Sequence, residues 1–98
     1  MPLSNAQNRS LRGQAHHLKP VVMVGQHGLK ESIHEEIDIA LDSHELIKVK
    51  IAADKEDRIS IADTIIKNSH AELIQHIGQM VILFRRNPEK PKIIIPSK

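Results

Sequence analysis

Residues 20–33 read PVVMVGQHGLKESI, and no other stretch restricts the possible folds as tightly. The apolar run Val21–Val24 suits a short buried strand. Gly25 and Gly28 then bound a four-residue turn, Gly25-Gln26-His27-Gly28, where glycine permits backbone angles that other residues resist. A helix begins directly afterwards, so its unpaired first-turn N–H groups and positive dipole end face the turn. Strand, Gly-x-x-Gly, helix start is a way for a backbone to receive a phosphate. The same spacing also serves a plain tight turn with no ligand.

The remaining elements follow from periodicity and caps. Ser4 or Asn5 caps a first helix to about Ala15, with Leu11, Ala15 and Leu18 on one side and Asn5, Arg9, Arg12 and His16 on the other. Pro20 disfavours helix at Lys19 and ends this segment. A second helix is predicted over Lys30–Ser43, with Ile33, Ile37, Ala40, Leu41 and His44 inward. Opposite them run Glu31, Glu35, Asp38, Asp42 and Glu45, an acidic stripe that would repel a phosphate backbone. Residues 44–51 become a strand in which Ile47, Val49 and Ile51 alternate with Lys48 and Lys50, giving one core face and one wet, positive face. Asp54 or Asp57 caps a third helix to about Asn68, with Ile59, Ala62, Ile65 and Ile66 inward. Glu72–Ile77 and Met80–Arg85 are predicted strands joined by the two-residue loop Gly78-Gln79. Ile93–Ile95 adds a short strand or packs on the sheet edge. The order α-β-α-β-α-β-β predicts one α/β domain over residues 1–98, two-layered, with a mixed four-stranded sheet and a basic tail over 85–98. Its two crossovers imply parallel pairing, and its final hairpin antiparallel pairing.

A chain of 98 residues accommodates one core. It has no cysteine, which removes disulfides, thiolate metal sites and cysteine nucleophiles. No run approaches the ~18–20 apolar residues that a membrane span needs, and no signal-peptide pattern opens the sequence, so a cytoplasmic setting without membrane contact is expected. The seven histidines form no metal-binding motif, and there is no nucleophile elbow, Walker loop or dinucleotide fingerprint. No enzyme, metal or cofactor is expected. The net charge of +2 is segregated: +4 over residues 1–30, −6 over 31–47, and +4 over 48–98. Such segregation concerns partners rather than fold. With Phe84 as its one aromatic residue, the chain has almost nothing on which to stack bases, so a nucleic acid would be held through phosphates, backbone and shape. The candidate surface joins Arg9, Arg12 and Lys19, the turn Gly25, Gln26, His27 and Gly28 with Lys30, and Arg85 and Arg86.

Three stretches, LRGQAHHLKPVVMVGQHGL at 11–29, HELIKVKI at 44–51 and IGQMVILFRR from 77 with IIIP ending at 96, together resemble the CRM domain (chloroplast RNA splicing and ribosome maturation) in its bacterial single-domain, YhbY-type form. The resemblance implies a fold similar to the C-terminal domain of the third bacterial translation initiation factor. It further implies RNA binding and association with precursors of the large ribosomal subunit. By position, the family's glycine motif falls on Gly25 and Gly28, its basic helix surface on Arg9 and Arg12, and its Lys-Pro step on Lys19 and Pro20. Two positions depart from the family pattern: Lys30 stands where a small hydroxyl residue is common, and Phe84 where tyrosine is. The rival expectation is a protein-interaction module that docks a ribosomal protein through the acidic helix or an open sheet face.

Overall fold

The first helix, α1 (Asn5–Ala15), starts at a reciprocal cap. The Gln7 N–H donates to Ser4 Oγ (3.1 Å), and the Ser4 N–H donates to Gln7 Oε1 (2.9 Å). The computed structural model describes residues 2–98. After α1 come β1 (Val22–Val24), α2 (Glu31–His44), β2 (Leu46–Ile51), α3 (Lys55–Ser69), β3 (Glu72–Ile77) and β4 (Met80–Phe84). Asp54 caps α3 by accepting from the Asp57 N–H at 3.0 Å. Gly78 takes a positive φ of 55° in the hairpin loop, as a primed turn requires.

The four strands form one mixed sheet in the order β1-β2-β4-β3. Strands β1 and β2 pair in parallel across α2, as the crossover rule expects. The second crossover behaves differently. β3 does not pair with β2, because β4 turns back into the space between them and pairs antiparallel with both. Central β4 is buried along Val81–Phe84, so its apolar run belongs inside the sheet rather than at an edge. A register shift between Leu73 and Gln75 interrupts the β3–β4 pairing.

Helices α2 and α3 cover one face. Ile37, Leu41, Ala62 and Ile65 pack there against Val22, Val24, Ile47, Val49, Ile51, Val81 and Leu83. To the two layers expected, the structure adds a partial third: α1 lies on the other face, where Leu11 and Ala15 bury Leu46, Ile74, Ile82 and Phe84. Leu18 is not part of this core and lies exposed. The segment after β4 closes the same cluster with Ile93 and Ile95 and forms no strand. In α3, Ile59 is exposed and Ile61 packs inward in its place.

α2 departs most from its expected faces. His44 is exposed rather than inward. The helix stops there, and Glu45 takes a positive φ of 63° that carries its side chain off the acidic stripe and into the protein. Glu45 is fully buried. Its carboxylate accepts from the N–H groups of Asn87 (2.6 Å), Lys92 (2.6 Å) and Ile93 (2.8 Å), and from Arg86 Nη1 (3.1 Å). One side chain thereby anchors the whole C-terminal segment. Burial by itself raises its pKa, but the backbone donors of Asn87, Ile93 and Lys92, with the Arg86 guanidinium, outweigh that and hold the carboxyl below its ordinary range.

Candidate nucleic-acid interface

The strand β1 delivers the chain to the turn at one end of the sheet. The Gly28 N–H donates back to the Gly25 carbonyl at 3.1 Å, closing the turn, and Gly28 sits at φ 70°. Glycine is required at Gly28 by that backbone angle. No such need applies at Gly25: its φ is ordinary, and an added Cβ would meet nothing within 4 Å. Gln26 and His27 are exposed at the tip. Helix α2 follows with Lys30 as its N-cap residue and no side-chain cap. Among the described residues, the N–H groups of Glu31 and Ser32 find no acceptor. The exposed Lys30 lies beside them. On the other side of the turn a groove toward α3 carries the Asp57 carboxylate, which disfavours an anion there. The turn's other neighbour is the sheet, because Val24 just before it pairs with Ile51 at the end of β2.

From that side a cationic path runs down the sheet face that α1 leaves open. Lys50 pairs in register with Met23, and Lys48 follows two residues away, about 7 Å along the strand. Met23 and Ile77 flank these lysines with more than half their surface exposed, at 59% and 57%. At the lower end α1 crosses the strands. Gln7 Nε2 donates to the Pro96 carbonyl (2.8 Å) and Gln14 Nε2 to the Ile94 carbonyl (2.9 Å), so that flank of α1 faces the C-terminal segment. At about 100° per residue the opposite flank carries Arg12, with Asn8 and His16, toward the open sheet. Arg9 lies further round, facing solvent, and Lys19 is exposed where α1 gives way to β1. Lys48 and Lys50 extend the surface beyond the residues that the sequence singles out, although their alternation with Ile47, Val49 and Ile51 marks a positive strand face.

Arg85 and Arg86 are not on this surface. Leu46 pairs with Phe84 at the end of the sheet opposite the turn, so Arg85 begins about 17 Å from Ile51 and the turn beside it. Arg85 Nη1 donates to Asp38 Oδ1 and to the Ser69 carbonyl, both at 2.8 Å, and Nη2 to Asp42 Oδ1 at 3.0 Å. Arg86 is held by Glu45 and by the Ile93 carbonyl (2.9 Å), and its guanidinium lies 5.5 Å from the Phe84 ring centre. The expected single basic surface thus divides: the turn, α1 and β2 share a face, while the two tail arginines are structural. Arg85 also answers the acidic stripe, since Asp38 and Asp42 are already paired. No other cation of the described residues is in an ion pair. The histidines and carboxylates of the described residues form no group of three able to hold a metal ion.

The CRS1 / YhbY (CRM) domain model matches residues 3–85. The chain belongs to the CRM domain family. Among CRM-domain relatives, an RNA-binding protein of Haemophilus influenzae is 46% identical over 97 residues, covering 98% of this chain and 97% of that protein. A probable RNA-binding protein of Pseudomonas aeruginosa is 41% identical over 93 residues, covering 94% and 89%. One of Bacillus subtilis is 36% identical over 95 residues, covering 96% and 99%. The solution structure of a hypothetical protein from Staphylococcus aureus superposes on this CRM domain with a TM-score of 0.82 at 33% identity, covering 97% of this chain and 100% of that one.

Proposed function

We propose that this CRM-domain protein binds RNA through the Gly25–Gly28 turn and the cationic sheet face below it, and that its RNA belongs to unfinished large ribosomal subunits, where it assists assembly without catalysing a reaction. The observation that carries the binding reading is Gly25. Neither its backbone angle nor its surroundings demand glycine, and the open space at its Cα leaves room for a strand to approach the turn backbone from outside. The turn would present its backbone to a phosphate, with the free N–H groups of α2 and Lys30 adding charge. Arg9, Arg12 and Lys19, joined by Lys48 and Lys50, would supply attraction along the strand. The names of the relatives support RNA as the partner, and the family resemblance supports the ribosomal target.

Such binding weakens with salt, because each neutralised phosphate releases condensed counterions. Affinity for a labelled ribosomal RNA fragment, measured across a salt series, should fall linearly on a log–log plot; equal affinity at low and high salt refutes the mechanism. For the target, the protein should co-sediment with precursor large subunits in a gradient of cell extract, and its absence from those fractions refutes that part. Docking of a ribosomal protein on the acidic stripe is disfavoured by Arg85, which already pairs two of its carboxylates.

A further inference from the structure

Where α1, the start of β1 and the C-terminal segment meet, the open sheet face deepens into a cavity of about 460 Å³. Leu18, Val21, Leu46 and Ile93 give it an apolar lining. Three lysines, Lys19, Lys48 and Lys92, surround that lining, and no carboxylate does. None of the three is in an ion pair among the described residues. Two polar groups also line it. Gln14 donates through Nε2 to Ile94 and Ser10, while its amide oxygen accepts nothing among the described residues; the His44 imidazole likewise has no protein partner. The far wall exists because Glu45 pins Lys92 and Ile93 in place.

An open apolar slot, edged by the exposed Gln14 amide and His44 imidazole and by unpaired cations, is complementary to a flat heterocycle carried on a polyanion. We propose that this cavity receives one unpaired base of the bound RNA, its neighbouring phosphates resting on Lys19, Lys48 and Lys92. The proposal rests on the RNA-binding reading and adds to it a preference for interrupted over continuous duplex. It replaces the aromatic platform that the chain lacks with an aliphatic pocket. From Val21 to Gly25 the strand rises about 13 Å, or roughly four nucleotides of stacked strand, which sets the distance between the extruded base and the phosphate at the turn.

The test uses the full chain and two labelled RNAs of equal length and sequence, one a blunt duplex and one carrying a single bulged nucleotide. The wild-type protein should favour the bulged RNA by about tenfold. Replacing the bulged nucleotide by an abasic one should remove that preference, an outcome independent of any protein variant. A Leu18→Ser, Val21→Ser double variant, altered at two exposed positions, should lose the preference while keeping the affinity for the blunt duplex. Equal binding of both RNAs by the wild type overturns the base pocket but leaves the RNA reading standing. Binding of neither RNA overturns both. A preference that survives the abasic probe or the double variant places the recognition elsewhere, leaves the cavity to another guest such as an aliphatic side chain of an acidic protein, and overturns the proposal.

Discussion

A single glutamate decides where the last quarter of the chain lies. Glu45 leaves the helical register right after His44, so it does not join the acidic stripe that its spacing predicts: the 3.6-residue period holds only while the helix continues. No pattern in the sequence announces a non-glycine residue at positive φ, so neither the buried carboxylate nor its four donors were legible. Replacing it by glutamine sets an NH₂ against N–H donors and strands Arg86, and should cost about 3 kcal/mol of stability in denaturant unfolding. Because the folded pKa lies below the unfolded one, roughly 4.3, the contribution of Glu45 is complete above that pH. It is lost as pH falls through the lower folded value, so the gap between wild type and Glu45→Gln should close in acid. Gly28 makes a second case at this scale. A Gly28→Val variant meets no steric neighbour but must hold φ 70°, at a cost of about 1–2 kcal/mol. It should melt several degrees lower yet stay folded, and bind RNA more weakly; wild-type affinity in the folded variant removes the turn from the interface.

Among the elements, those with strong periodicity or explicit caps were readable, and those whose partners lie far along the chain were not. Of the alternatives that the sequence offers, Ser4 rather than Asn5 caps α1 and Asp54 rather than Asp57 caps α3. The hairpin over Gly78 and Gln79 forms where the sequence places it. The side of the sheet taken by α1 was not legible, because Leu11 and Ala15 fit either face. The role of Arg85 depends on Asp38 and Asp42, more than 40 positions away. These assignments separate two variants. Arg85→Ala should destabilise the protein by about 1–2 kcal/mol, since its carboxylate partners are well exposed and its carbonyl contacts carry the rest. Its RNA affinity should stay within about twofold of wild type. A Lys48→Ala, Lys50→Ala variant should do the reverse: unfold as wild type does, and lower the log–log salt slope by about 1.4, or 0.7 for each phosphate contact removed.

For the molecule as a whole, charge segregation along the sequence became segregation in space only in part. Arg12 and the lysines of β2 lie on the sheet face that α1 leaves open, while the tail's arginines neutralise acids at the other end. A count of charge by segment cannot tell these fates apart, because it records sign and omits pairing. The class, a mixed sheet with helices, was legible from element order; the strand order was not, because a β-hairpin can join a sheet by either of its strands. That choice governs when the protein comes into being on the ribosome. With β4 in the middle, β1–β2 and β3 share no backbone ladder, and only helix packing joins them until translation has passed Phe84. A nascent chain stalled before that residue should be digested by protease as an unfolded one is, and one extended beyond it, clear of the exit tunnel, should resist. Under the proposed function, the RNA-binding surface built on β1, β2 and α1 would therefore be completed only late in synthesis, which would keep half-made copies from occupying RNA.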